Sequence, residues 1–145
     1  MRTLLTLALA LGLAATADAQ PRRDATPQHT IEAPGAVSVQ AGGADRNAVP
    51  GSGCSGFIAN SSPTASVTVS GEGPLSIFAV SGTDTTLLVS DPSGRWHCSD
   101  DANGSNPAVT FARAAEGSYV VWVGTFSPDA RAEARLSAVR GQPNW

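Results

Sequence analysis

The chain of 145 residues contains no lysine, so arginine supplies all of its permanently basic side chains. The formal net charge is −3, and Arg22–Arg23 is the only adjacent basic pair. Domains that bind nucleic acid need a clustered basic surface that neutralises phosphates. The composition therefore argues against nucleic acid as a partner.

Long apolar runs are also missing, with one exception at the N-terminus. A positive residue precedes TLLTLALALGLAA (residues 3–15), and small residues at Ala17 and Ala19 then offer a cleavage site before Gln20. This order is typical of a secretory signal peptide. A transmembrane anchor is the alternative, but the run is too short and no charged stop follows it. We expect cleavage after Ala19, no membrane span, and a secreted or periplasmic product.

Cysteine and histidine are scarce: the chain has only Cys54, Cys98, His29 and His97. In an exported protein, two cysteines most simply form a disulfide, and two free thiols are the alternative. A zinc site would need more ligands than such a bridge leaves. The sequence also lacks G-x-S-x-G, H-E-x-x-H and phosphate-binding glycine motifs, so the common enzyme signatures are missing.

Short runs rich in valine and threonine are abundant, and turn sequences such as GEG, SGTD and DPSG separate them. The predicted strands are residues 36–40, 65–70, 74–80, 85–90, 95–98, 108–112 and 118–126. Short strands at near-regular spacing predict a sandwich or barrel of antiparallel sheets.

The segment SPDARAEARLSAV (127–139) has features of both helix and strand. Ser127 and Pro128 suit the first turn of a helix. Residues 131–138, however, alternate strictly between alanine or leucine and a polar residue. Successive side chains of a strand point to opposite faces, so the alternation predicts a final strand.

The polar stretch DPSGRWHCSDDANGSNP (91–107) contains the second cysteine. If Cys98 points inward to meet its partner, alternation places Trp96 inward beside the bridge. Arg95 and His97 then point to solvent. Asp91 precedes Pro-Ser-Gly, and an aspartate at that position of a turn accepts a bond from the backbone two residues on.

Acidic and amide side chains in and near this stretch are candidates for a metal site. Asp100 and Asp101 are adjacent and repel each other unless a positive charge lies nearby. Calcium prefers carboxylate, amide and backbone oxygens, although the spacing is not that of an EF-hand. Solvated turn acids, or a hydrolase that uses Asp84, Asp91, Asp100 and Asp101, are the alternatives. The candidate calcium ligands are Asp84, Asp91, Asp100, Asp101, Asn103 and Asn106.

Four segments together resemble the bacterial pre-peptidase C-terminal domain. They are CSGFI (54–58), DTTLLVSDPSGRWHCSDD (84–101), GSNP (104–107) and GSYVVWVGTF (117–126). They are similar to secreted alphaproteobacterial modules that occur in tandem or beside trypsin-like protease domains. The resemblance implies a jelly-roll-like antiparallel β-sandwich of about eight strands. The resulting division is a signal peptide (1–19), a flexible leader (20–35), the sandwich (36–139) and a C-terminal tail (140–145).

The resemblance also implies a function without catalysis, because such domains serve mostly as secretion, processing or binding appendages. Some relatives bind calcium near acidic loops. We therefore expect a secreted module that binds a protein or a cell-surface or extracellular polymer, tuned by calcium. The alternatives are a periplasmic calcium-binding or structural protein without a macromolecular ligand, and the small hydrolase. The tail contains Trp145, to which no pattern assigns a role.

Overall fold

A computed structural model of the protein describes residues 20–49 and 53–145. The predicted signal peptide (1–19) lies outside these residues, and its cleavage stays a prediction. None of the described residues is helical, and this part of the chain holds no helix that could cross a membrane. Its strands are β1 (His29–Glu32), β2 (Gly35–Ala41), β3 (Asp45–Arg46), β4 (Phe57–Ile58), β5 (Ala65–Val69), β6 (Gly73–Val80), β7 (Thr85–Ser90), β8 (Trp96–Ser99), β9 (Ala108–Ala114), β10 (Gly117–Thr125) and β11 (Ala132–Val139).

The strands form two sheets that pack as a sandwich. In the first sheet, β10 lies at the centre, with β5 and then β1 on one side and β7 and then β8 on the other. The short strands β4 and β3 extend this sheet from the end of β10. The second sheet has the order β2–β11–β6–β9. All pairs are antiparallel except β1 with β5, so the predicted all-β sandwich is confirmed.

Apolar side chains from both sheets meet in a main core. β10 contributes Tyr119, Val121 and Val123, and β6 contributes Leu75 and Ile77 from the opposite sheet. These side chains alternate along their strands because every second residue of a strand faces the same way.

A second, smaller cluster covers the other face of the first sheet. We call it the side core; it consists of Val49, Ile58, Leu88 and Trp122, with Cys54, Trp96, Cys98 and Val120 packed against them. The centre of the first sheet is therefore buried on both faces. This double burial explains why every residue of β7 is buried and why residues 119–123 of β10 form a continuous apolar run instead of alternating.

The predicted flexible leader (20–35) is ordered where it forms β1. Residues 29–32 pair with β5, and Ile31 lies in the main core. The prediction of flexibility is therefore wrong for these residues. A four-residue strand offers only two alternations, and its partner lies more than thirty residues away, so no local pattern marks it.

Within residues 127–139, which have features of both helix and strand, Ala132–Val139 form the last strand, as the alternation predicted. Ala132, Ala134, Leu136 and Ala138 of β11 are buried in the main core. The strand lies between β2 and β6. The burial of one apolar face against the other sheet outweighs the helix preference of its alanines.

Candidate functional site

The β7–β8 hairpin holds most of the polar stretch, and its register fixes which way each side chain points. Cys98 lies opposite Leu88 of the side core, whereas His97 lies opposite Val89 of the main core. Trp96 shares the face of Cys98, as predicted. The prediction that His97 points to solvent is wrong, because its ring packs against Phe111 of the second sheet at 4.8 Å between centroids.

The predicted disulfide between Cys54 and Cys98 is confirmed, with 5.7 Å between the Cα atoms. Beside it, the rings of Trp96 and Trp122 lie 5.6 Å apart. The Arg23 guanidinium lies 5.2 Å from the centroid of Trp96 and donates to the Gly94 carbonyl at 2.7 Å. The bridge and the aromatic pair therefore form one packed unit with a structural role.

Asp91 is the centre of a hydrogen-bond network inside the turn of this hairpin. Its Oδ1 accepts from the Ser93 amide at 2.9 Å, the Ser93 hydroxyl at 2.6 Å and the Arg95 amide at 3.0 Å. Its Oδ2 accepts from Arg95 Nε at 3.1 Å and from His97 Nε2 at 2.9 Å. The bond predicted from the backbone two residues on, which the Ser93 amide donates, is one of these five. The side chain of Asp91 is only 5% exposed.

These bonds determine the charge of Asp91. Burial would raise the pKa of this carboxyl, but the hydrogen bonds from Ser93, His97 and Arg95 outweigh burial and hold the pKa well below its usual range. Hydrogen bonds to the charged form of a carboxyl favour ionisation. Asp91 is therefore a stably ionised carboxylate whose acceptor positions are occupied.

The turn contains a serine, a histidine and an aspartate, but their geometry is not that of a catalytic triad. In a triad the serine hydroxyl bonds to the histidine, which acts as its base. Here the Ser93 hydroxyl donates to Asp91 and not to His97. The network stabilises the turn and does not activate a nucleophile.

The six candidate calcium ligands do not come together in one place. Asp91 follows β7 and Asp84 precedes it, and a strand of six residues separates them by roughly 20 Å at about 3.3 Å per residue. Asp100 and Asp101 follow β8 and lie at the Asp84 end. The prediction of a single site that includes Asp91 is therefore wrong, and so is the convergence of all four aspartates that a hydrolase would need.

Three carboxylates do lie near one another at that end, which we call the acidic end: Asp84, Asp100 and Asp101. Loss of hydration and the charges of Asp101 and Asp100 raise the pKa of Asp84. Asp100 Oδ2 also accepts a bond from the Ser55 hydroxyl at 3.0 Å. Among the described residues, no group of three or more histidine, cysteine, aspartate or glutamate side chains is arranged to hold a metal ion.

The two candidate asparagines have structural partners. The backbones of Asn103 and Asn106 bond to each other in both directions, at 3.0 and 3.1 Å. The Asn106 side-chain oxygen accepts from the Ser81 amide at 3.0 Å. Asn106 therefore ties the loop to the end of β6, and its amide oxygen is already engaged.

A different surface, which the sequence did not predict, offers room for a ligand. Two adjoining depressions of about 590 and about 540 Å³ lie on the face of the second sheet that points away from the main core. They share Val80 and Arg135. We call them together the outer groove. Their volumes fall within the range of ordinary ligand pockets.

One half of the outer groove is polar and the other is apolar. Glu133 lies opposite Gln40 across the β11–β2 pair, and Arg135 lies opposite Ser38. In the apolar half, the ring of Trp145 packs edge-on against Phe78, with 5.1 Å between the centroids. The tail thus covers Phe78, which is 2% exposed, while Trp145 itself stays 47% exposed.

The tail that carries Trp145 is bonded to the second sheet. Ser76 Oγ donates to the Gly141 carbonyl at 2.5 Å, and the Gly141 amide donates to the Pro74 carbonyl at 3.3 Å. Arg140 donates to the carbonyls of Ser70 and Gly71. These bonds fix the direction in which residues 142–145 cross the sheet.

Comparison with known proteins supports the fold. No family model and no curated protein matches the sequence. A solved structure is similar: the pre-peptidase C-terminal domain of collagenase from Bacillus anthracis, with a TM-score of 0.53 and 16% sequence identity. The match covers 81% of this chain and 98% of that one. Such low identity supports the fold alone, and at that level the resemblance inferred from the sequence is confirmed: the chain has the fold of a pre-peptidase C-terminal domain.

Proposed function

We propose that the protein is an exported, non-catalytic β-sandwich module that binds a protein or an extracellular polymer through the outer groove. The observation that carries the proposal is the groove itself, where charged, amide and aromatic side chains line a depression. Proteins position side chains of this mixed kind where a ligand needs both apolar contact and orientation.

The charged groups of the groove are not used by the fold. No hydrogen bond or ion pair joins the Arg135 guanidinium or the Glu133 carboxylate to another described residue. The charged groups around Asp91, in contrast, are fully engaged in the turn. Side chains without an internal partner are the ones available to a ligand.

Two features support export. The N-terminal pattern is that of a secretory signal peptide, and disulfides such as Cys54–Cys98 persist in oxidising compartments. Catalysis is not supported, because Asp91 and His97 bond within a turn and Asp91 lies far from the acidic end.

We propose separately that the acidic end binds calcium. The charges of Asp100 and Asp101 act on Asp84, and a divalent cation would relieve that repulsion. The three carboxylates are not grouped as metal ligands in the described part of the chain, so the ion would have to draw them together. The proposal is restricted to Asp84, Asp100 and Asp101, because Asp91 lies at the other end of β7 and the amide oxygen of Asn106 is held by the Ser81 amide.

A capture experiment tests the binding function. Protein expressed from the complete chain is purified, immobilised and exposed to envelope and culture-medium extracts of the source organism. We expect the native protein to retain a specific component that Arg135→Gln and Trp145→Ala fail to retain. Arg131→Gln and Phe126→Ala are matched controls, because both residues are exposed outside the groove. Retention of nothing specific, or equal retention by all variants, would contradict the proposal.

A further inference from the structure

We infer that the ligand of the outer groove is an uncharged polysaccharide chain. This inference rests on the proposed binding function of the same surface and adds the chemical class of the ligand. Three properties of the groove carry it: balanced side-chain charge, an exposed aromatic residue, and a central strand, β11, whose backbone is already paired on both sides.

The two charged side chains of the groove have opposite signs. Glu133 and Arg135 lie two residues apart on β11, and their side chains point to the same face. A polyanion would approach Arg135 only against the repulsion of Glu133, and a polycation would meet the reverse problem. A hydroxyl group can donate to the carboxylate and also accept from the guanidinium. An uncharged ligand with many hydroxyls therefore satisfies both residues at once.

The polar side chains lie in rows across the sheet. Gln40 lies beside Glu133, and Ser38 lies beside Arg135 on the neighbouring strand. Neighbouring strands are about 4.8 Å apart, so each row places two polar side chains close together. A sugar ring, which has several hydroxyls on one small frame, can bond to both members of such a pair.

Trp145 supplies the apolar contact. Its ring packs edge-on against Phe78, and the residue is 47% exposed. The face of an indole is negative and attracts partially positive C–H groups, and pyranose rings present such groups on their flat faces. An aromatic ring beside planar polar side chains therefore suits a sugar chain.

An extended peptide suits this surface less well. Peptides that add to a sheet pair with a free strand edge. The groove lies over β11, whose backbone already pairs with β2 on one side and β6 on the other. A peptide that lies over β11 could use only its side chains, and strand addition could take place only at the outer edge of β2, at the rim of the groove. A sugar chain needs no backbone partner.

The shape of the groove also favours a chain over a single sugar. The depressions adjoin at Val80 and Arg135, and each alone has the volume of a small-molecule site. One ring would fill only part of this space, so we expect affinity to rise with chain length.

Native affinity electrophoresis tests the inference with protein from the complete chain. The gels contain soluble β-glucan, xylan or galactomannan as uncharged probes, and polygalacturonate or gelatin as comparison probes. We expect at least one uncharged probe to retard the native protein. Arg135→Gln and Trp145→Ala should weaken that retardation about tenfold or more, while Arg131→Gln and Phe126→Ala should not change it.

Salt provides an independent readout. Binding of an uncharged chain should hardly change between about 50 mM and about 500 mM salt, because screening weakens mainly interactions between charges. Retardation by polygalacturonate alone, by gelatin alone or by no probe would overturn the inference, and so would unchanged retardation of Trp145→Ala. If a component is still captured in a groove-dependent manner, the binding function stands and only the ligand class is wrong. If capture fails as well, both proposals are wrong.

Discussion

The Nε2 atom of His97 donates to the Oδ2 atom of Asp91 at 2.9 Å, across the turn that joins β7 to β8. The same imidazole packs against Phe111, which belongs to the second sheet. This pair therefore connects the turn of the hairpin to the opposite layer of the sandwich. Its carboxylate is almost fully buried, so the energetic consequences of removing it are large.

We expect Asp91→Asn to lower the free energy of unfolding by about 2–4 kcal/mol at neutral pH. The amide cannot accept all five bonds, and its own donors would face the donors of Arg95 and His97. Urea denaturation followed by circular dichroism measures the loss. Asp101→Asn, at an exposed aspartate, is the matched control and should change stability by less than about 0.5 kcal/mol without calcium.

The pKa of Asp91 predicts how this loss depends on pH. The folded-state pKa lies below the unfolded value of about 4. A lowered pKa contributes stability above the unfolded value, and that contribution disappears as pH falls towards the folded value. The difference between native protein and Asp91→Asn should therefore shrink below about pH 4. If the difference in unfolding free energy stays constant down to about pH 2.5, Asp91 acts through packing and not through its charge.

The disulfide gives the next prediction. Cys54 and Cys98 are 44 residues apart in sequence, and closing a loop of this size stabilises a fold by up to about 4 kcal/mol in the chain-entropy model. We expect reduction to lower the urea midpoint, with a loss of about 2–4 kcal/mol. The urea midpoint of the Cys54→Ser/Cys98→Ser double variant should equal that of the reduced protein and should not change when reductant is added. An unchanged midpoint on reduction would show that the packing of Trp96 on Trp122 suffices.

The sequence predicted most of the fold because the signal is local. Eight of the strands follow alternation or β-branched runs that one segment reveals by itself, including β11, where alternation outweighed a helix-like start. β1 was missed because it is stabilised by Ile31 in a distant core and by pairing with β5. β3 and β4 have two residues each, which is too short for any periodicity.

The candidate site was predicted less well, for two reasons. Alternation shows which residues share a face but not which face is buried. Because the first sheet is covered on both sides, His97 packs against Phe111 although it lies on the face opposite to Cys98. The outer groove depends on the register of β11 against β2 and β6, which brings Arg135 between Ser38 and Val80. Such long-range pairing cannot be inferred from one segment. The separation of Asp84 from Asp91, in contrast, already follows from the predicted strand at 85–90.

The calcium proposal predicts that the melting temperature is higher in excess calcium than in the presence of a chelator. A ligand that binds only the folded state raises stability by about 2.7 kcal/mol at a hundredfold excess over its dissociation constant. We expect calcium to raise the melting temperature of the native protein and of Asp91→Asn, but not of Asp100→Asn or Asp101→Asn. Identical melts with calcium and chelator would reject the site and leave the acidic end as solvated turn residues.

Strand β1 leads to the last prediction, which tests whether the segment before residue 36 belongs to the fold. Ile31 is 9% exposed and packs in the main core, whereas the neighbouring Thr30 is exposed. We expect Ile31→Ala to cost about 2 kcal/mol, because truncation leaves a cavity in the core. Thr30→Ala, the matched control, should cost less than about 0.5 kcal/mol. Urea denaturation measures both. Equal and small effects would mean that β1 adds no stability in solution, and the sandwich would then begin at β2.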